Sequence, residues 1–242
     1  MMKLLGTTTS PYVRKVRIVA HAAKLPLTMV DTRPEEGAAL LARHAPLGKI
    51  PVLLDGDRVL PDSSVIVGWL WQRHEAALRA AGLDLDPMHL EQRELQVLAE
   101  GVLDAAINRF YLRRDNFEER GYLARQTERI DTTLAHLDHG PKPAKFARPL
   151  GLGGLSLAVA LDWLVFRAQV DLAKYPALTA FRTVALASFS FGTVNERRNR
   201  DTASAVTSDR RSRFESSRKR ARCRRLFSTW SSSIPAAWQC AR

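Results

Sequence analysis

Lys3-Leu4-Leu5-Gly6-Thr7-Thr8-Thr9-Ser10-Pro11-Tyr12-Val13-Arg14-Lys15-Val16-Arg17-Ile18 is the stretch from which the rest of the chain can be read. A short apolar run ends at Gly6 and three threonines, and a helix opens at Ser10-Pro11, with serine in the cap position and proline in the first turn. Val13, Val16, Ile18, Val19, Ala22 and Ala23 follow helical spacing, with Arg14, Lys15 and Arg17 between them. This is a strand delivering a hydroxyl to a helix N-terminus, where unpaired N–H groups and the macrodipole favour an anion.

Working outward, Pro26 closes that helix and Leu27-Thr28-Met29-Val30 reads as a second strand. A polar loop over 31–36 leads to a short helix around Ala38 to Arg43. The run Pro46-Leu47-Gly48-Lys49-Ile50-Pro51-Val52-Leu53-Leu54 is a loop entering a strand that has a proline at its start. Asp55-Gly56-Asp57 is a tight hairpin turn, Arg58-Val59-Leu60 the returning strand, and Pro61-Asp62-Ser63-Ser64 caps a helix through Ile66, Trp69, Leu70 and Trp71. The order is βαβαββα.

Gly82, two aspartates and Pro87 mark residues 79–88 as a linker. Beyond it every periodic signal is helical. Leu90 to Leu112 carries a wide apolar face, a second helix runs from about Phe117 to Leu137, and Pro176 opens the last. Leu155 to Val170 is apolar all round and is expected at the buried centre of a helical domain.

The net charge of +12 is unevenly spread. Residues 1–194 hold 24 Lys and Arg against 21 Asp and Glu, whereas 195–242 hold 13 against 4. The excess therefore does not mark the body of the protein as a nucleic-acid binder. Residues 195–242, with twelve arginines and nine serines and no apolar period, are expected to be disordered. Both cysteines, Cys223 and Cys240, lie there, which fits a reducing, cytoplasmic setting. No secretory signal is evident, and the longest apolar stretch, 150–166, falls short of the roughly 20 residues that span a bilayer. The six histidines form no His-Glu-x-x-His pair, and no metal is expected.

Four stretches, in order and spacing, resemble the cytosolic glutathione S-transferases: the opening stretch, Gly48 to Leu53, Asp62-Ser63 before a helix, and Leu161-Asp162-Trp163 followed by Tyr175-Pro176-Ala177-Leu178. The resemblance covers about residues 2–194. It implies an α/β plus all-α chain: a thioredoxin-like glutathione-binding domain over 1–78, the linker 79–88 and an all-helical domain over 89–194. It also implies a cytoplasmic homodimer that uses glutathione as co-substrate and attacks a small electrophile.

Glutathione's thiol, with a pKa near about 8.5, is only a few per cent thiolate at pH 7, and lowering it by about two units takes roughly 2.7 kcal/mol. One hydroxyl hydrogen bond to the anion, about 1.5–3 kcal/mol, plus a helix N-terminus, about 0.3–1 kcal/mol, reaches that range. On spacing alone Ser10 is a cap. The resemblance makes it the serine facing the sulfur, with Thr8 and Thr9 as fallback donors and Tyr12 a weaker one. By the same resemblance Pro51 is cis and presents the backbone of Ile50 to the cysteinyl unit. Lys49 meets the glycyl carboxylate, Ser63 at its helix N-terminus takes the γ-glutamyl carboxylate, and Asp62 meets the ammonium. Phe110, Tyr111 and Trp163 are candidates for an apolar second-substrate pocket.

The sequence also admits other readings. A non-catalytic binding protein of transcription or translation assemblies, or a glutathione-dependent isomerase or dehalogenase, could use the same scaffold. Two departures from the family pattern stand out. Gly151 and Gly154 occupy the places of a usual Ser or Thr cap and an Asp, so the helical half is expected to be weakened. The tail, after the family-like Ser188 to Val194, has the texture of a frameshifted or read-through extension. The competing reading is a basic segment making non-specific contact with nucleic acid or a membrane surface.

Overall fold

The computed structural model describes residues 1–140 and 143–188. The Arg/Ser-rich stretch 195–242 and the family-like ending before it, from residue 189 on, lie outside the described residues.

The first half is a four-stranded mixed sheet with three helices: β1 (Met2–Gly6), α1 (Pro11–Ala22), β2 (Leu27–Asp31), α2 (Glu35–His44), β3 (Val52–Asp55), β4 (Arg58–Pro61) and α3 (Ser63–Ala80). The strand order is β2-β1-β3-β4. β1 and β2 are parallel, with Leu4 opposite Met29, whereas β3 runs antiparallel to both β1 and β4. This is the thioredoxin-like arrangement. The α1 crossover makes β1 and β2 parallel. The Asp55-Gly56 hairpin, with Gly56 at φ +57, makes β3 and β4 antiparallel. Leu4, Val16, Leu53, Ile66 and Leu70 are fully buried between the sheet and the two helices α1 and α3.

The second half is helical: α4 (Leu90–Arg114), α5 (Tyr122–His139), α6 (Leu152–Phe166) and α7 (Pro176–Ser188). Every residue of α6 from Leu152 to Leu164 is buried, as its unbroken apolar character requires. The segment 79–88 is packed down rather than loose. It contains β5 (Leu83–Asp84), which pairs in parallel with β6 (Leu150–Gly151), and Leu83 and Leu85 are buried.

The glycine-rich start of α6, where a weakened helical half was expected, lacks a cap of its own. The helix begins at Leu152, earlier than its apolar pattern indicates. The missing cap is supplied from another helix, since Gln92 Oε1 of α4 accepts hydrogen bonds from Gly153 N at 2.9 Å and Gly154 N at 3.1 Å. A side chain at either glycine would collide with backbone: a Cβ would stand 2.4 Å from Gln92 O at Gly153 and 2.3 Å from Phe146 O at Gly154. The glycines therefore allow the close packing, and one amide oxygen from α4 satisfies two of the N–H groups that a local cap would otherwise serve.

Two charged residues of α1 that the helical pattern left between apolar positions are buried where the halves meet. Arg14 pairs with Asp162 of α6, which also receives Arg182 of α7 at 2.6 Å. Lys15 pairs with Glu100 of α4 at 2.5 Å and donates to Ser64 Oγ at 3.3 Å. Gln96 Nε2 reaches Ser64 Oγ and Glu100 Oε1, both at 3.0 Å, and Ser156 Oγ donates to Glu100 at 3.0 Å. Burial pushes the Glu100 carboxyl up, but the Lys15 charge and the hydrogen bonds from Lys15, Gln96 and Ser156 outweigh it and hold the group below its ordinary range.

Candidate functional site

Two adjoining cavities open where α1, the loop before β3, the start of α3 and the face of α4 converge. One, of about 550 Å³, is lined by Lys49, Ile50, Pro51, Asp62, Ser63 and the charged Glu100, among others. The other, of about 580 Å³, is lined by Thr7, Thr9, Ser10, Phe110, Tyr111 and Trp163, among others. Tyr12, Lys49, Ile50 and Asp104 border both. All six candidate site residues, Ser10, Lys49, Ile50, Pro51, Asp62 and Ser63, thus face one continuous cleft.

Ser10 caps α1. Its Oγ accepts from Val13 N at 3.3 Å, and Pro11 occupies the first turn, where no N–H is needed. A hydroxyl oxygen can accept while its hydrogen donates, and among the described residues the Ser10 hydrogen has no acceptor. Ser10 is nine-tenths buried and lines the second cavity.

Tyr12 differs. Its hydroxyl donates to Asp104 on α4, so its proton is already committed. Burial, followed by the hydrogen bond and charge of Asp104 and the charges of Glu100 and Asp62, pushes the phenol pKa far up. Tyr12 is a neutral phenol tied to a carboxylate. Of the threonines, Thr7 and Thr9 line the second cavity.

The Ile50-Pro51 peptide bond is cis, as the resemblance implied. The backbone N–H and C=O of Ile50 make no hydrogen bond to any described residue. Pro51 O is engaged, accepting from Asp62 N at 3.2 Å. Ile50 therefore offers a strand-like donor and acceptor at the lip of the cleft, beside the exposed Lys49.

Asp62 holds φ +69, ψ 141, a left-handed conformation that costs a non-glycine residue about 1–3 kcal/mol. The hydrogen bond to Pro51 and its own Oδ1, accepting from Ser64 N at 2.7 Å, hold it there. Ser63 follows as the first residue of α3 and is buried. One hydroxyl, one carboxylate and the N-terminus of a helix that runs from Ser63 to a kink at His74 therefore meet at one end of the cleft.

At the other end the three aromatics come together. Phe110 stands edge-on to Tyr111 at 5.4 Å and to Trp163 at 6.0 Å between ring centroids. Spacing along α4 places the first two near each other, but only the packing of α6 against α4 brings Trp163 to them. Arg167, also on this wall, carries no signal in the sequence. Among the described residues no group of three or more potential metal ligands occurs, and no helix is long and apolar enough to cross a membrane.

Residues 4–78 match the sequence profile described as the glutathione S-transferase N-terminal domain. A glutathione S-transferase from Methylobacterium radiotolerans, solved with glutathione sulfonate, is 31% identical with a TM-score of 0.65, the match covering 78% of this chain and 92% of that one. One from Methylobacillus flagellatus, solved with glutathione bound, is 30% identical at a TM-score of 0.65, over 78% and 98% of the two chains. An uncharacterised glutathione S-transferase-like protein of Escherichia coli K12, YibF, is 29% identical over 171 residues, 69% of this chain and 83% of that one. The likeness runs through both the mixed sheet and the helical half, and the chain belongs to the glutathione S-transferase family.

Proposed function

We propose that the protein is a glutathione transferase in which Ser10 activates the bound thiol. The observation that carries the reading is the uncommitted Ser10 hydrogen in a wall of the cleft at the N-terminus of α1. Relatives solved with glutathione or its sulfonate support glutathione as the occupant.

The γ-glutamyl carboxylate would sit at the N-terminus of α3 with Ser63, its ammonium against Asp62. Asp62 Oδ1 already accepts from Ser64 N, leaving Oδ2 for the ammonium. The backbone of Ile50 before cis Pro51 would pair with the cysteinyl amide, and Lys49 would meet the glycyl carboxylate. So held, the sulfur lies by Ser10, whose hydroxyl donates to it as the proton leaves. Hydrogen bond and helix N-terminus together supply the roughly 2.7 kcal/mol that a two-unit fall in pKa requires. The thiolate then attacks an electrophilic carbon held among Phe110, Tyr111 and Trp163. The protein is proposed to act as a cytoplasmic homodimer, with residues 1–78 and 89–194 as its two domains.

Titration of glutathione binding, with the ultraviolet absorbance of the bound thiolate followed against pH, tests this. A bound pKa about two units below that of free glutathione, with turnover of a chromogenic electrophile, is the expected result. Binding with an unshifted thiol and no turnover on a panel of electrophiles overturns it in favour of a non-catalytic glutathione-binding scaffold.

A further inference from the structure

Among the described residues Arg167 is a cation without an anion. It follows the last turn of α6, its N–H donating to Trp163 O at 2.9 Å, and it lines the aromatic half of the cleft. Its guanidinium carbon stands 5.0 Å from the Phe110 ring centroid and 4.8 Å from that of Phe166. No carboxylate among the described residues pairs with it, and its Nε is buried with no hydrogen-bond partner. Buried Nε groups without a partner occur on Arg14, Arg109 and Arg182 as well, but the guanidinium groups of those three are engaged elsewhere, Arg14 and Arg182 by Asp162 and Arg109 by Gln169 O, whereas no side-chain hydrogen bond or ion pair engages that of Arg167 among the described residues. Burial is the largest influence on the Arg167 guanidinium and works against its charge, so an arriving anion relieves a cost already present in the empty cleft.

The other charged side chains on this cavity are Lys49 and Asp104. Asp104 is engaged by the Tyr12 hydroxyl, and Lys49 is exposed. The guanidinium lies within cation–π reach of both Phe110 and Phe166, which holds it against the aromatic wall, and a guanidinium's N–H fork is the geometry that pairs with a carboxylate. The edge-on aromatics beside it suit a flat body.

We propose that Arg167 makes this half of the cleft select aryl electrophiles that carry a carboxylate, an inference that rests on the transferase reading of the same cleft. In the reaction the glutathione sulfur forms a bond to the ring carbon that bears a halide. The added electron pair passes into the ring and its nitro group, and the halide leaves with the pair of the broken bond. No oxidant or reductant takes part.

The test compares 4-chloro-3-nitrobenzoate with its neutral amide, each rate divided by its uncatalysed rate with glutathione. The wild-type protein is expected to favour the benzoate by about tenfold or more in kcat/KM, the scale of a hydrogen bond to a charged group. In Arg167→Gln that ratio collapses towards one, and in Arg167→Lys, which keeps the charge but loses the fork, it falls between. Glutathione affinity checks that each variant is folded; if the Gln variant is not, the wild-type ratio and the Lys variant decide.

Calorimetry with the two glutathione conjugates reads the same preference without turnover. Conjugates that bind the wild-type protein equally, or that lose affinity alike in the variants, overturn the proposal and leave the transferase reading intact. A tenfold preference for the carboxylate conjugate that Arg167→Gln abolishes supports the proposal even if neither chloride is turned over, and in that case the transferase reading alone falls. Failure to bind either conjugate overturns both.

Discussion

Replacing Ser10 separates its two roles, because alanine and glycine differ as caps but not as donors. As a cap the side chain accepts one N–H at 3.3 Å, a long bond. Ser10→Ala should cost about 1 kcal/mol of stability and Ser10→Gly a few tenths. As a donor to the thiolate, the hydroxyl is worth about 1.5–3 kcal/mol, so both variants should raise the bound thiol pKa by about one to two units. If the wild-type thiol titrates near about 6.5, a two-unit rise cuts the thiolate fraction at pH 7 roughly twenty-five-fold and a one-unit rise roughly threefold. By linkage, a two-unit rise also weakens glutathione binding about fourfold at pH 7 and not at all at pH 5, where both proteins hold the thiol. The rate falls less than the thiolate fraction, since a more basic thiolate is intrinsically more nucleophilic. The decisive measurement is therefore the pH titration of bound thiolate absorbance, set beside urea denaturation of the same three proteins. An unshifted pKa in both variants, or activity losses ranked as the stability losses with Ala worse than Gly, would refute a donor role and leave Ser10 a cap.

Two further outcomes bear on the scaffold. Gln92→Ala removes the acceptor of two α6 N–H groups and should lower the free energy of unfolding by about 1–2 kcal/mol in urea, whereas Gln92→Glu, an anion at a helix N-terminus, should retain stability. Glu100 is depressed in the folded protein, so its contribution is present above the unfolded pKa of about 4.3 and is lost as pH falls through its lower folded value. Thermal denaturation should accordingly show a loss of stability below about pH 4.5 that is smaller in Glu100→Gln.

The order of elements was open to sequence reading because each rests on local signals: Ser10-Pro11 at a helix start, Asp55-Gly56 at a hairpin, and alternating or helical apolar spacing between them. The candidate residues converge on one cleft for the same reason, being attached to the ends of those elements. What escaped has a common physical cause, distance along the chain. Arg14 and Lys15 look like exposed positions of an amphipathic helix because their partners lie 148 and 85 residues away. Gln92 caps a helix 61 residues downstream, which no local capping rule can express. Arg167 follows the end of a buried helix, where only the packing of α6 on α4 decides that it faces a cavity rather than water.

The buried charges of α1 explain why a cleft made from two halves has a defined shape. Breaking one partner of a buried pair costs about 3–5 kcal/mol, yet an apolar pair of similar volume is often no less stable, so the pairs do not exist for stability alone. Their geometry shows what they fix. Tyr12 reaches Asp104 and Lys15 reaches Glu100, and those two carboxylates lie one turn apart on α4. The first turns of α1 are thereby set in register with the helix that carries Phe110 and Tyr111. Ser10 begins that same turn of α1, so its position relative to the aromatic wall is fixed by Glu100 and Asp104 without contact to either. On the other flank Ser64, next to Ser63, accepts from both Lys15 and Gln96. One polar seam thus places the α1 hydroxyl, the α3 N-terminus and the α4 aromatics against each other, and attack by a thiolate beside Ser10 on an electrophile held at the aromatics of the same cavity would demand that placement to within about half an ångström.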